Sequence, residues 1–145
     1  MLQHICREQL ERQWQKEWTE GEKGRLYFSI QPSVQKKTTS MNSGRRDNIV
    51  MTRLRLGHCG LASYLNVIGK HPDGLCQCGQ VETIQHVMFS CGKYRTERRQ
   101  LFKDLADQGL EVYSFKSIFA ADANFQNVGR AVLSFLHSTK LYAKV

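Results

Sequence analysis

Apolar side chains recur at helical spacing over most of the chain, and the first such stretch covers residues 2–20. Its apolar positions follow one another mostly at steps of three or four residues: Leu2, Ile5, Cys6, Leu10, Trp14 and Trp18. This pattern predicts an amphipathic helix, which Gly21 and Gly24 end. Because indole rings supply a large apolar area, we interpret Trp14 and Trp18 as anchors that pack on another element.

Two segments of different composition separate the first predicted helix from the next ones. Residues 26–30 are apolar and aromatic, a composition that predicts a short strand. Residues 33–48 are polar and carry four cations, so we predict that they form a basic linker. Beyond this linker, two short helices are predicted over residues 49–56 and 61–68, with glycines between them.

The second half of the chain is also helical by pattern. Helices are predicted over residues 83–90, 94–107 and 115–119. The clearest apolar stripe comes last, with Phe125, Val128, Val132, Leu133 and Leu136. The fold class that follows is mainly α, a small helical domain with at most a short strand near residues 26–30. The expected divisions are an N-terminal helix with a short extended segment (1–32), the basic linker (33–48) and a helical domain (49–145).

Four side chains that bind transition metals lie within 16 residues near the middle of the chain: Cys76, Cys78, His86 and Cys91. Three thiolates and one imidazole suit a closed, tetrahedral Cys₃His zinc site. We therefore predict one zinc ion as cofactor and expect the helical domain to be organised around this zinc knuckle. With four protein ligands no position stays open for water, so the predicted role of the ion is structural.

The residues around the ligands support this site. Gly79 is expected to permit the tight turn that brings two thiolates to one point, and Thr83 is expected to cap the helix that carries His86. In a continuous helix, Cys91 would lie about 140° around the axis from His86. The helix must therefore end about one residue before Cys91, and Gly92 is predicted to permit the reversal.

The remaining cysteines and histidines are weaker candidates. His71 lies in a Pro-Gly turn and is interpreted as a turn histidine, although it competes as a ligand together with Cys59. Cys59 and Cys6 are interpreted as small buried residues. The first residues lack the apolar core of a signal peptide, and no apolar run approaches the length of a membrane span. We expect the chain inside the cell, nuclear or cytoplasmic, where thiols stay reduced, with no membrane partner.

The chain carries 21 Lys and Arg residues against 13 Asp and Glu residues, which gives a formal net charge of +8. A basic surface favours a polyanionic partner, and RNA or DNA is the commonest. The cations that flank the zinc ligands form the predicted nucleic-acid surface: Arg53, Arg55, Lys70, Lys93, Arg95, Arg98 and Arg99. Three of these arginines fall within two turns of one helix, a spacing that suits contact with phosphates.

The sequence carries no recognisable catalytic set. Clustered carboxylates for two metal ions are missing, as are a P-loop, a dinucleotide fingerprint and a nucleophile elbow. We therefore predict a binding module and not an enzyme. The alternative is a protein-interaction or scaffolding module, in which zinc only holds the helices together. In that case the helix with Trp14 and Trp18 docks on a protein partner or on a second copy of the chain.

Several stretches of the sequence together resemble a known family, the C-terminal tail of non-LTR (jockey-like) retrotransposon reverse transcriptases. The stretches are residues 51–61, residues 68–79, Glu82-Thr-Ile-Gln-His86 and Cys91. In that family the tail follows the ribonuclease H domain and carries a zinc-binding knuckle. A further stretch, Trp14-Gln-Lys-Glu-Trp18, is similar to the segment that joins ribonuclease H to the knuckle.

The resemblance implies an origin at the end of a polymerase polyprotein. It supports the four zinc ligands, because each matches a position of the family's knuckle. It also implies contact with the RNA of the element or with target DNA during reverse transcription. Neither the polymerase nor the ribonuclease H motifs occur in this sequence, so the family's enzymatic activity is not expected of the chain.

Overall fold

The computed structural model describes residues 2–34, 40–111, 113–120 and 124–145. Within these ranges the chain forms eight α-helices: α1 (Leu2–Glu20), α2 (Arg25–Ile30), α3 (Arg45–Leu56), α4 (Ala62–Val67), α5 (Ile84–Phe89), α6 (Arg95–Asp107), α7 (Phe115–Phe119) and α8 (Phe125–Ser138). A 3-10 helix (Gly92–Tyr94) precedes α6. The only strand-like pairing in the described ranges is one antiparallel bridge between Leu75 and Val81. The predicted mainly α fold class is confirmed.

Helices α6 and α8 pack against each other. All the apolar positions predicted to form the stripe of α8 are buried: Phe125, Val128, Val132, Leu133 and Leu136. Helix α6 contributes the buried Leu101 and Leu105. Helix α7 contacts both α8 and α2, and α2 in turn contacts α3, so the buried side chains form one continuous core. Burial of each large aliphatic or aromatic side chain stabilises the fold by about 1.5–3 kcal/mol.

Residues 26–30 belong to α2, so the predicted short strand is wrong. The aromatic residues of α2 pack around Trp18 of α1, whose ring centroid lies 5.6 Å from that of Phe28 and 6.1 Å from that of Tyr27. The indole N–H of Trp18 also donates to the backbone oxygen of Gln31 at 2.9 Å. A short apolar run does not by itself distinguish a strand from a helix. In this chain the run is helical, and its aromatic side chains pack on Trp18.

Helix α1 is mostly exposed and is held near its C-terminal end. Trp18 is half-buried and is the predicted anchor, and Gln15 hydrogen-bonds the backbone of residues 32–34. Trp14, by contrast, is 61% exposed. Cys6 is exposed as well, so the expectation that it is a core residue is wrong. Neither α1 nor any other described helix is both long and apolar enough to cross a membrane.

Helix α3 begins at Arg45, four residues before the predicted start, and so includes the end of the segment predicted to be a linker. The side chain of Asn48 binds both backbone groups of Met41, accepting from its N–H at 2.6 Å and donating to its oxygen at 2.9 Å. Met41 is buried beside Gly129 of α8, where an added Cβ would come within 2.5 Å of the Met41 sulfur. This part of the segment is therefore packed on the fold, while residues 35–39 lie outside the described ranges.

Candidate metal centre

A short hairpin positions the first two predicted ligands. The bridge between Leu75 and Val81 closes the hairpin, and within it the N–H of Cys76 donates to the backbone oxygen of Gln80 at 2.7 Å. Gly79 has φ +85°, a left-handed conformation that favours glycine. The prediction that Gly79 permits a tight turn is confirmed. The turn brings Cys76 and Cys78 to the same side of the hairpin, toward α5.

Helix α5 positions the third ligand. The Thr83 hydroxyl accepts a hydrogen bond from the backbone N–H of His86 at 3.0 Å, which is the predicted N-cap. The apolar residues of this helix, Ile84, Val87 and Met88, are buried in the core. Because one face of α5 is anchored in this way, the His86 side chain is presented to the hairpin.

The fourth ligand follows the end of α5. The helix ends at Phe89, and Ser90 departs from helical geometry with φ −132°. Cys91 is extended, and its N–H donates to the backbone oxygen of His86 at 2.8 Å. The predicted break near Ser90 is confirmed. The role predicted for Gly92 is wrong, because Ser90 and Cys91 make the reversal and Gly92 is not in the left-handed region.

The four predicted ligands come together in space. Their ligand atoms all lie within 4.8 Å of one another. The sulfurs of Cys76 and Cys91 are 3.7 Å apart, and the sulfur of Cys78 is 3.1 Å from Nε2 of His86. Cys76, His86 and Cys91 are buried, whereas Cys78 is exposed to solvent. The group is positioned to bind a metal ion and is compatible with a zinc knuckle.

The two thiols of the hairpin have opposite acid–base properties. Burial raises the pKa of Cys76 to about 11, because a thiolate is poorly solvated there. The backbone N–H of Gln80 donates toward Cys78 and lowers the pKa of that thiol. Cys78 therefore ionises more readily, while Cys76 ionises only where a nearby cation compensates for the lost solvation.

The imidazole of His86 is oriented by a neighbouring hydroxyl. Its Nδ1 lies 3.2 Å from Oγ of Ser90, and that hydroxyl donates to the backbone oxygen of His86 at 3.3 Å. The hydroxyl proton is thereby used, so Nδ1 carries the proton of the ring and donates to Ser90. This tautomer leaves the lone pair of Nε2 directed to the group of thiols, as a metal ligand requires.

Arg98 fixes the metal centre to the core. Its guanidinium donates to the backbone oxygen of Cys91 at 2.8 Å and to that of Val87 at 3.4 Å. The side chain is half-buried, although the sequence predicted that it contacts nucleic acid. In the structure it joins α6 to the segment that carries two ligands, a role that the spacing of charges did not indicate.

Glu82 joins the hairpin to α4. Its Oε2 accepts a hydrogen bond from the N–H of Ala62 at 2.7 Å, and its backbone oxygen accepts one from the Ser63 hydroxyl at 2.8 Å. The carboxylate thus lies at the start of α4, 20 residues earlier, where no local pattern reveals it.

The predicted nucleic-acid residues differ in exposure, and Arg55 is removed from the set. Arg55 is 5% exposed, and its Nε donates to the backbone oxygen of Phe119 at 3.1 Å. Its guanidinium lies 5.1 Å from the ring centroid of Tyr27. This arginine therefore supports the junction of α2, α3 and α7. Arg53 is exposed, although its Nη1 donates to the backbone oxygen of Val145 at 2.8 Å.

The other predicted cations lie on the surface: Lys70, Lys93, Arg95 and Arg99. The two competing ligands, in contrast, do not join the metal centre. Nδ1 of His71 accepts a hydrogen bond from the N–H of Gly74 at 3.1 Å, which makes it a turn histidine as predicted. Cys59 is buried, and burial raises the pKa of its thiol. Both residues have the structural roles expected from the sequence.

The centre offers four ligands from two adjacent local elements, and it leaves no fifth protein ligand among the described residues. Its supports, Thr83, Ser90 and Arg98, act through backbone and imidazole hydrogen bonds. Such an arrangement can hold an ion in a closed site and thereby fix the hairpin against α5 and α6. Comparison with known proteins gives no match to the chain, neither a protein-family model nor a curated protein nor a solved structure.

Proposed function

We propose that this chain is a zinc-stabilised nucleic-acid-binding module that performs no catalysis itself. The zinc ion holds the hairpin, α5 and the start of α6 in one arrangement. That arrangement presents a row of cations on α6 to the phosphates of RNA or DNA. The observation that carries the proposal is the position of this row next to the metal centre.

The separation of the two buried sulfurs and the types of ligand atom support zinc. With Zn–S bonds of about 2.3 Å, two sulfurs of a tetrahedral site lie about 3.8 Å apart, and the sulfurs of Cys76 and Cys91 are 3.7 Å apart. A disulfide would require about 2.0 Å. Three sulfurs and one imidazole nitrogen are the ligands that zinc prefers, whereas magnesium and calcium prefer oxygen. The buried Cys76 gains the cation that its thiolate needs.

The cation row consists of Arg95, Arg99 and Lys103, which are all exposed on α6. They follow one another at steps of four residues, so successive side chains are about 6 Å apart along the helix axis and rotated by about 40°. None of the three forms a salt bridge with a carboxylate in the described parts of the chain. Of the three acids of this helix, Glu97 and Asp104 are rotated by about 140° or more from Arg99. Asp107 follows Lys103 by four residues on the same side of the helix, and the two form no salt bridge in the described structure. The row therefore stays available to phosphates.

The row is coupled to the metal centre through Arg98. This residue lies between the cations of the row in sequence and binds the backbone of Cys91 and Val87. Loading of the metal site therefore fixes the N-terminal turn of α6, where Arg95 and Arg99 lie. Cations held in place lose less side-chain entropy on binding than cations on a mobile segment.

We further propose that the module derives from the C-terminal end of a retrotransposon reverse transcriptase polyprotein. The support is the sequence resemblance of residues 51–61, 68–79, 82–86 and Cys91 to the tail of jockey-like elements. In this proposal, RNA of the element or target DNA is the partner. The catalytic steps belong to other domains of the polyprotein.

Fluorescence anisotropy with labelled single-stranded RNA and DNA tests the function. We expect the Arg95→Ala/Arg99→Ala double variant to bind at least about tenfold more weakly and to lower the slope of log affinity against log salt by about 2. A Lys16→Ala/Lys116→Ala double variant removes the same charge from exposed positions outside the row and is the control. Binding that does not change with salt, or equal losses in both double variants, would contradict the proposal.

The second candidate function is a protein-interaction module. It is favoured by exposed apolar side chains, namely Leu10 at 66%, Trp14 at 61% and Val67 at 81% exposure. Exposed aromatic and aliphatic groups of this kind are enriched at interfaces. Sedimentation at increasing protein concentration distinguishes the two functions. Self-association without retention on heparin would favour the interaction module over the nucleic-acid module.

A further inference from the structure

A polar cleft of about 200 Å³ lies beside the metal hairpin. Three separate parts of the chain line it, and its polar side chains are His71, Gln77, Glu82, Lys93 and Lys144. We refer to it as the knuckle cleft. Its volume is below the range of about 300–1,000 Å³ that is typical of pockets for whole drug-sized molecules. It therefore suits one small polar unit of a larger ligand.

The wall that carries Lys144 is fixed by a close backbone approach. The N–H of Gly60 donates to the backbone oxygen of Lys144 at 2.8 Å. An added Cβ on Gly60 would come within 2.2 Å of that oxygen, so only glycine allows the two segments to lie this close. Lys144 is thus brought to the edge of a cleft whose other lining residues are distant from it in sequence.

Lys93 also lines the cleft, and two contacts position its ammonium group. Nζ of Lys93 donates to Oε1 of Gln77 at 3.1 Å and lies 5.4 Å from the ring centroid of Tyr94. These two contacts use only part of its hydrogen-bonding capacity, since an ammonium group has three donors. Two lysines from different segments therefore line one small cleft, an arrangement that suits an anion.

The cleft also holds one more donor and one acceptor. Nδ1 of His71 accepts from the N–H of Gly74, so the neutral imidazole carries its proton on Nε2 and can donate. The carboxylate of Glu82 accepts from Ala62 through Oε2 and is otherwise an acceptor for a hydroxyl or amino group. A phosphate alone would meet this carboxylate as a like charge, so the ligand must bring a hydrogen-bond donor as well as an anion.

We propose that the knuckle cleft binds one ribonucleotide unit of a single-stranded RNA. Its phosphate lies between the ammonium groups of Lys93 and Lys144, and its ribose hydroxyl donates to the Glu82 carboxylate. A ribose-phosphate unit carries an anion and a hydroxyl donor within the size of the cleft. This inference rests on the proposed nucleic-acid function and deepens it by naming RNA as the preferred partner.

The preference for RNA follows from the carboxylate. Deoxyribose within a strand lacks the 2′-hydroxyl, so a DNA unit would place its phosphate near Glu82 without the hydrogen bond that offsets the repulsion. The 2′-hydroxyl is the group that distinguishes RNA from DNA at a single site. The cleft therefore discriminates the sugar, whereas the cation row on α6 contacts phosphates of either nucleic acid.

The first experiment compares RNA and DNA of one sequence in anisotropy titrations with the zinc-loaded chain. We expect the wild type to prefer RNA by about fivefold or more, and Lys144→Ala to weaken RNA binding and lower its salt slope by about 1. Glu82→Gln keeps an acceptor for Ala62 but presents an amide to the sugar, so it should remove most of the RNA preference. Lys116→Ala is the matched control for the loss of one exposed lysine.

The second experiment uses AMP and dAMP as probes and follows the backbone amide resonances of the zinc-loaded chain. We expect AMP to shift the amides of Gly60 and Gln77 at lower concentration than dAMP does. Equal RNA and DNA affinities, with Lys144→Ala and Glu82→Gln both behaving as the wild type, would overturn the cleft. If the cleft is overturned in this way but the Arg95→Ala/Arg99→Ala variant still binds nucleic acid more weakly, the proposed nucleic-acid function stands without the cleft. The melting temperatures of both variants are also measured, because Glu82→Gln alters a hydrogen bond to Ala62. Lys144→Ala removes no described hydrogen bond and should melt as the wild type does.

Discussion

Nδ1 of His86 lies 3.2 Å from Oγ of Ser90, and the same hydroxyl donates to the backbone oxygen of His86 at 3.3 Å. One side chain therefore sets both the orientation of the imidazole and the atom that carries its proton. Ser90 is also the residue that directly follows the last residue of α5, so the end of the helix places this hydroxyl beside the ligand. Metal-binding histidines commonly depend on such a partner at the second ring nitrogen.

Ser90→Ala should weaken zinc binding by about ten- to a hundredfold, because the imidazole loses the acceptor that fixes its tautomer. The affinity is measured by competition with a chromogenic chelator. Ser138→Ala is the matched control, since its hydroxyl also donates to a backbone oxygen near a helix end, that of Phe135 at 2.9 Å, but has no metal ligand beside it. Equal affinities for the two variants would show that Ser90 does not support the ligand.

Removal of a ligand should remove the ion. We expect purified wild type to contain one equivalent of zinc by elemental analysis, and Cys91→Ser and His86→Ala to contain substantially less. Cys6→Ser changes an exposed thiol outside the site and should keep the full equivalent. Because binding of the ion contributes to folding, the two ligand variants should also melt at lower temperature than Cys6→Ser. Full zinc in both ligand variants, or none in the wild type, would refute the zinc site.

Acidification should release zinc. Burial holds the pKa of Cys76 near about 11 in the metal-free protein, so its thiol is protonated at neutral pH and must lose that proton to bind the ion. Each such proton lowers the affinity by about tenfold for every unit of pH decrease. Zinc affinity measured between about pH 8 and pH 6, with correction for protonation of the chelator, should fall at least this steeply. A flat profile would contradict binding through a buried thiolate.

In the metal-free protein the raised pKa of Cys76 makes the fold less stable as the pH rises. The folded state holds the Cys76 proton more tightly than the unfolded chain, whose thiol has its ordinary pKa of 9.0. This contribution to the free energy of unfolding is fully present below pH 9.0 and is lost as the pH rises toward about 11. Denaturation of the metal-free protein at alkaline pH, with Cys76→Ala as the comparison, measures it. A Cys76→Ala variant with the same alkaline loss of stability as the wild type would contradict the assignment to this thiol.

Gly60→Ala should destabilise the protein by about 1–3 kcal/mol, because its Cβ would lie 2.2 Å from a backbone oxygen that has little freedom to move. Gly92→Ala is the matched control, since nothing lies within 4 Å of its added Cβ and its backbone is not left-handed. That variant should change the free energy of unfolding by less than about 0.5 kcal/mol. Urea denaturation of the zinc-loaded proteins measures both. Equal stability of the two variants would contradict the close approach of Gly60 and Lys144.

The sequence predicted those parts of the site whose causes are local. The ligands lie within 16 residues, and the Thr83 cap and the Gly79 turn depend only on neighbouring backbone. The break before Cys91 followed from helix geometry, because the ligand could not otherwise reach His86. The residue that makes the break was predicted wrongly, since the extended conformation of Cys91 achieves it without glycine.

The features that the sequence did not predict depend on residues far apart in the chain. Arg55 is buried because Phe119 supplies an acceptor 64 residues later, and Glu82 caps a helix 20 residues earlier. The short apolar run in α2 is consistent with a strand until Trp18 of α1 is known to pack on it. Charge and periodicity along the chain carry no information about such partners.

The uneven burial of the four ligands determines how an ion enters and leaves. Three of them are enclosed, and Cys78 alone is open to solvent. A competing chelator or an oxidant therefore reaches the coordination sphere from one side, through the thiol whose pKa the Gln80 N–H lowers. Departure of the ion can begin with the opening of a single bond while the core stays folded. An ion bound by this group would thus exchange with its surroundings on the side of Cys78, while the three enclosed ligands retain it on the other.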